Sequence, residues 1–188
     1  MRHFQQIAQG VDVLPLLHAV QRNEHLFNVH RFRTTFAGTP HGEVDDILLR
    51  FSDPTIAKDG DTAAVMADGN CVWHPAAAAL PQAKPIILDL MRRVEAYGLD
   101  RVVITRLRPG GRILPHADNE GAYTADPERA RYHIVLQGLP GSLYHAGNET
   151  VCMRTGDVYW FEARVMHSVE NNSADDRIHL LADMRLMP

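Results

Sequence analysis

A chain of 188 residues, 45% hydrophobic and 22% charged, is long enough to bury a core without disulfide staples and too ordinary in composition to be disordered or fibrous. Its formal net charge of −4 argues against a broadly basic surface, so neither nucleic acid nor a membrane is expected as a partner. Cys71 and Cys152 lack any CxxC spacing and read as reduced, mostly buried thiols. "MRHFQQIAQG" lacks the apolar core of a signal peptide and "HPAAAALP" is too short to span a bilayer, so a cytoplasmic protein is expected.

In chain order, "VDVLPLLHAVQRN" predicts a short helix with Pro15 in its first turn. "FNVHRFRTTF", residues 27–36, alternates apolar and polar residues as a half-buried strand does, and "DDILLRFSD" reads as a second strand. Residues 53–75 look irregular. "AKPIILDLMRRVEAYG" is the clearest helix: Ile86, Leu90 and Val94 form an apolar stripe, joined by Ile87 and Met91, and Gly98 supplies the stop. From residue 101 onward the chain becomes short strands divided by turns: "RVVITRLRPGG", "RILPHAD", "RYHIVLQG", "SLYHAG", "ETVCMRTGD", "VYWFEA", "HSVENN" and "RIHLLADMR". Gly110 and Gly111 read as a hairpin connection, and Tyr159, Trp160 and Phe161 as core packing. The expected fold is α+β: a double-stranded β-helix (jelly-roll, cupin-like) core with flanking N-terminal helices. One domain over 1–188 is expected, with a helix-containing part at 1–100 that carries substrate-side strands and a metal-binding jelly roll at 101–188.

Within that second part, "ILPHADNEGAY" places His116 and Asp118 two residues apart, on one side of a strand. His167 follows 49 residues later in "RVMHSVENN". Two imidazoles and one carboxylate form the donor set of a non-haem Fe(II) facial triad, which leaves coordination positions open. An H-x-D pair alone is weak, because the chain holds 11 histidines. Arg177, ten residues past His167, adds a guanidinium suited to the far carboxylate of an iron-bound dicarboxylate.

"PHAD", "RYHIVLQG", "GDVYWFEARVMHSVENNS" and "DRIHLLADMR" together resemble the aspartyl/asparaginyl β-hydroxylase family of 2-oxoglutarate/Fe(II) oxygenases, over about residues 101–185. The resemblance implies Fe(II) and 2-oxoglutarate inside a double-stranded β-helix, with O2 as co-substrate. It implies hydroxylation of an unactivated C–H, with release of succinate and CO2. His116, Asp118 and His167 become the iron ligands and catalytic centre, and Arg177 the anchor of the distal carboxylate of 2-oxoglutarate. The R-x-H element Arg131 and His133 falls where the family places residues near 2-oxoglutarate, and alternation puts both on one face. Some members of the family that modify proteins lack the triad carboxylate; Asp118 makes the full three-ligand form the expectation here.

Other residues have weaker support. His179, two positions past Arg177, reads as structural. The polar loop "ADNEGAYTADPERAR", residues 117–131, is a candidate lid over the substrate. Asn28, Arg33 and Arg50, with Arg31, are candidate substrate contacts, since an arginine in the cleft suits a carboxylate. Trp73 and His74 are candidates for its mouth. The substrate expected is an amino acid, or an Asp-, Asn- or Pro-type residue in a peptide or protein, with a small free molecule favoured by the short chain. Two alternatives stand beside this reading: a cupin-like metal enzyme that does not use 2-oxoglutarate, and a non-catalytic binding barrel.

Overall fold

Every strand expected after residue 101 forms in the computed structural model, which describes residues 1–57, 62–67, 69–118, 126 and 128–187. Numbered in chain order, the strands make two antiparallel sheets. The larger runs β1 (Phe4–Ala8), β9 (Val158–Phe161), β6 (Arg129–Gln137), β11 (Arg177–Leu186), β4 (Ala96–Leu107), β2 (Val44–Ser52) and β3 (Cys71–Trp73). The smaller runs β5 (Arg112–His116), β10 (His167–Asn171), β7 (Ser142–Ala146) and β8 (Glu149–Val151). This is the α+β, cupin-like sandwich expected, with helices on the N-terminal side. The first hundred residues do more than flank it, because β1, β2 and β3 belong to the same large sheet as the later strands.

Alternation along the central strand β11 divides the interior. Ile178, Leu180, Ala182 and Met184 face outward into a core shared with helices α1 (Leu14–Arg22) and α4 (Ala83–Arg93). Arg177, His179 and Asp183 take the other face, toward the smaller sheet, and all are buried. A second apolar cluster fills the space between the sheets, including Phe4, Leu107, Ile113, Tyr144, Phe161 and Val169.

Several local expectations are corrected. Residues 27–36 are turns and bends rather than a strand. Asn28 adopts φ 61°, donates its backbone N–H to the Asp46 carbonyl at 2.8 Å, and accepts the Asp46 N–H through Oδ1 at 3.2 Å. One residue thus satisfies the edge of β2 and turns the chain away, leaving Val29 exposed. Residues 53–75 are less irregular than expected, since α2 (Thr62–Ala67) and β3 lie within them, and the alanine run forms α3 (Pro75–Ala79). Residues Gly110 and Gly111 do not close a hairpin. They carry the chain from β4 in one sheet to β5 in the other, with Gly110 at φ 79° donating to the Asn171 carbonyl at 2.7 Å. A Cβ on Gly111 would lie 2.9 Å from the Leu107 side chain, so the crossing needs glycine. Cys71 and Cys152 are free thiols as expected, but half-buried.

Helix α4 ends at Arg93, five residues before Gly98, which lies within β4. Its buried face is Ala83, Ile87 and Leu90, with Ile86, Met91 and Val94 at the edge of the core. The reversal is made by Glu95 at φ 54°, a left-handed conformation that costs a side-chain-bearing residue about 1–2 kcal/mol. Glu95→Gly removes that strain and is expected to raise stability by about 0.5–1 kcal/mol, after the greater flexibility of glycine in the unfolded chain. A urea midpoint above the wild-type value, at unchanged slope, is the expected measurement.

Candidate metal centre

Strand register assembles the centre. His116, the last residue of β5, lies directly opposite His167, the first residue of β10. Facing positions on antiparallel strands bring side chains together, and the two imidazole rings stand 4.1 Å apart between centroids. Asp118 follows β5 by two residues, its backbone N–H held by the Ala163 carbonyl at 2.8 Å. One ligand atom each from His116, Asp118 and His167 lies within 4.8 Å of the others. Among the described residues this is the group of three or more such side chains suited to holding a metal ion.

The chemistry of the three residues fits a divalent cation. His116 Nδ1 lies 2.8 Å from the Leu114 carbonyl, and His167 Nδ1 lies 2.9 Å from the Val165 carbonyl. A carbonyl only accepts, so each Nδ1 carries the proton and each Nε2 offers a lone pair. Burial pushes His167 down to about 4, with the neighbouring His116 acting in the same direction. Burial also lowers His116, against the opposing Leu114 carbonyl and Asp118. Both rings are therefore neutral at pH 7. Burial alone would raise Asp118, but Arg131, then His167 and His116, outweigh it and hold the carboxyl below the usual range.

The second part of the site is the buried inner face of β11 and β6. Arg177 is only 2% exposed, and its Nη1 has no hydrogen-bond partner. Its Nη2 lies 3.0 Å from His179 Nδ1, and the Tyr144 ring lies 5.5 Å from the guanidinium carbon. A guanidinium only donates, so His179 Nδ1 accepts. The 3.3 Å contact between His179 Nδ1 and His133 Nδ1 then requires the proton on His133, whose Nε2 faces the Tyr144 hydroxyl at 3.5 Å. Burial keeps both histidines well below the ordinary value, with Arg177 adding to it, and raises Tyr144 to about 12. Burial lowers Arg177 to about 10, which leaves it a cation at neutral pH. No carboxylate of the described residues pairs with it, so it is a buried charge without a counter-ion among them.

The remaining expected residues are placed as follows. Arg131 forks Asp183 through Nε at 2.7 Å and Nη2 at 3.0 Å, and its Nη1 contacts Asp118. It thus stands behind the carboxylate of the cluster. Arg33 reaches the same interior, paired with buried Asp46 at 3.1 Å, and its charge is felt at His116 and Asp118. Asn28 and Arg50 are occupied elsewhere: Asn28 on β2, and Arg50 on the Leu99 carbonyl at 3.2 Å and the Trp73 ring. Trp73 is 50% exposed, and His74 is buried with Nε2 3.3 Å from the Ser52 carbonyl. The candidate lid lies mostly at 119–125, outside the described residues.

Sequence reasoning missed His41, Tyr144 and Asp183. His41 packs edge-on against His116 with ring centroids 4.8 Å apart, and its buried Nδ1 has no partner. It comes from a loop, where no periodicity announces it. Asp183 was findable, because six residues of strand place it on the face of Arg177.

A sandwich of this topology with a His-x-Asp…His cluster has the donor set of the non-haem Fe(II) oxygenases. The family model described as "Aspartyl/Asparaginyl beta-hydroxylase" matches residues 52–186, so the chain belongs to that family of 2-oxoglutarate/Fe(II)-dependent hydroxylases. No curated protein matches it by sequence. Among solved structures it is similar to the non-heme alpha ketoglutarate dependent epimerase SnoN from nogalamycin biosynthesis, at TM-score 0.56 and 16% identity over 98% of this chain and 78% of that one. It is also similar to a Pseudomonas putida prolyl-4-hydroxylase, at TM-score 0.54 and 15% identity over 99% of this chain and 94% of the other. An oxidoreductase of the 2OG-Fe(II) oxygenase family from Burkholderia pseudomallei gives TM-score 0.53 and 15% identity, over 76% and 66% of the two chains. At these identities the likeness is one of fold. Among the described residues no helix is long and apolar enough to cross a membrane.

The neutral buried imidazoles set an acid limit on stability. Unfolded, His133 and His179 protonate near the ordinary value of 6.5; folded, they resist protonation until well below it. The unfolded state therefore binds more protons as the pH falls. The stability is fully present above about 6.5 and is lost below it, by up to about 1.4 kcal/mol per pH unit for each histidine. The metal-free wild type is expected to show a thermal midpoint that declines from pH 6.5 to 5, and His179→Asn a shallower decline.

Proposed function

We propose that this chain, as one domain over 1–188, is a 2-oxoglutarate- and Fe(II)-dependent dioxygenase. Its substrate would be an amino acid, or an Asp-, Asn- or Pro-type residue of a peptide or protein. His116, Asp118 and His167 would hold the iron, through two Nε2 atoms and a carboxylate oxygen. With 2-oxoglutarate and O2, iron in such a site supplies the oxidation that couples release of succinate and CO2 to hydroxylation of a C–H bond.

The observation that carries this reading is the unpartnered Nη1 of buried Arg177. A cupin-like enzyme without 2-oxoglutarate has no use for a desolvated guanidinium facing the metal-lined interior. A dicarboxylate does, because its distal carboxylate accepts two parallel hydrogen bonds and neutralises the charge. His179 keeps the guanidinium in place by accepting from Nη2, which leaves Nη1 for the ligand. His133 and Tyr144 complete the wall, fixed in single protonation states by burial, and exclude water from that end.

On the substrate side, Arg33 is the retained candidate. Its Nε lies 3.1 Å from buried Asp46, and its charge reaches the interior that holds His116 and Asp118. The polar group of an amino acid would meet it there, with His41 alongside. The free thiols Cys71 and Cys152 accord with the reducing, cytoplasmic setting expected of the chain.

Two measurements test the reading. Anaerobic protein mixed with Fe(II) and 2-oxoglutarate is expected to develop the weak visible metal-to-ligand charge-transfer band, and His167→Ala to abolish it. Arg177→Ala is expected to weaken 2-oxoglutarate binding by about 2–5 kcal/mol, as for loss of one partner in a buried charge pair. No band in the wild type, together with unchanged 2-oxoglutarate affinity in Arg177→Ala, would sink the assignment. A succinate-release screen with free amino acids and short Asp-, Asn- or Pro-containing peptides then identifies the substrate class. Release stimulated by peptides alone would exclude a free amino acid.

A further inference from the structure

We infer that Asp183 is a positioning residue which, through Arg131, makes Asp118 a one-oxygen metal ligand. The inference rests on the iron reading above and concerns how the carboxylate of the triad is presented.

Asp183 on β11 and Arg131 on β6 face each other in the strand register. Both carboxylate oxygens of Asp183 are used: Oδ1 accepts from Nε at 2.7 Å and Oδ2 from Nη2 at 3.0 Å. This is the planar two-point geometry in which arginine binds a carboxylate best. With that edge of the guanidinium taken by Asp183, the remaining terminal nitrogen, Nη1, meets Asp118 at Oδ2. Asp118 Oδ1 points the other way and lies 3.6 Å from His116 Nε2. One oxygen is thus held by arginine and the other is turned toward the imidazoles.

Asp183 is what holds the Nε–Nη2 edge of Arg131 away from Asp118. With the Asp183 fork gone, Arg131 could turn its two-nitrogen edge onto Asp118 and cover both oxygens, because that pairing has the better geometry. Charge acts in the same direction. Asp183 is 3% exposed and neutralises Arg131 in a poorly solvated interior. Removing its charge adds one net positive charge beside a site that must take a dication.

Asp100 provides a matched control. It is 6% exposed and, on β4 of the same sheet, anchors Arg129 at 2.7 Å and Arg185 at 3.2 Å. No contact joins it to Asp118 among those of the described residues.

The test is a titration of the full chain with Mn(II), a redox-silent stand-in for Fe(II), followed by the EPR signal of the free ion. Thermal unfolding is run on each variant. Asp183→Asn is expected to bind Mn(II) about 10–100-fold more weakly, the range found when a group orienting a metal ligand is removed. Asp100→Asn is expected to lose thermal stability but keep Mn(II) affinity within about twofold, since it leaves the ligand's support intact. Wild-type affinity in Asp183→Asn overturns the inference, as does equal loss in both variants, which would mark a purely structural effect. Should Asp183→Asn fail to fold, Asp183→Glu keeps the charge but displaces the fork. It is expected to lose about tenfold in affinity, and no loss overturns the inference. Absence of Mn(II) binding in the wild type instead overturns the iron reading itself, and this inference with it.

Discussion

The interior depends on one constraint: β11 is buried on both faces yet carries polar side chains at Arg177, His179 and Asp183. A central strand normally solves burial by being apolar throughout. Here the outward residues do so, packing on α1 and α4, while the inward ones must each find a partner or a ligand. Asp183 finds Arg131, His179 finds Arg177 and His133, and Arg177 is left one acceptor short. The two histidines of the cluster arrive from the other sheet, on β5 and β10, with Asp118 just past β5, so the site forms where a polar strand face meets a pair of histidines.

Within that space, protonation is decided by burial and by hydrogen bonds to backbone carbonyls. The Leu114 and Val165 carbonyls select the tautomer that exposes Nε2 on His116 and His167. Burial keeps the imidazoles neutral, and Arg131 keeps Asp118 ionised. These are the states in which two nitrogens and an oxygen bind a divalent ion without first losing protons. Family membership rests on residues 52–186, and the third donor of the cluster is Asp118.

Much of this was legible in the residues because the signals were periodic. The eight segments after residue 101 became strands, since turn residues bound each and alternation sustains each. Arg177 and the H-x-D pair could be singled out because their spacing suits known chemistry. Residues 27–36 misled because alternation marks exposure as well as strand, and Asn28 met the edge of β2 through its side chain. The stop of α4 misled for a similar reason: Gly98 is the residue best suited to a left-handed turn, but Glu95 makes it.

What the sequence by itself determined was the set of donors and the rhythm of the strands, both local properties of residue type and spacing. What only the tertiary structure decided was which charges compensate which. Arg131 came to serve Asp118 and Asp183, Arg50 went to the Leu99 carbonyl and Trp73, and Arg177 kept Nη1 without a partner among the described residues. Pairing between buried charges depends on register between strands distant in the chain, such as Asp183 opposite Arg131. A period-two pattern gives the face of a side chain and is silent about its partner across the sheet.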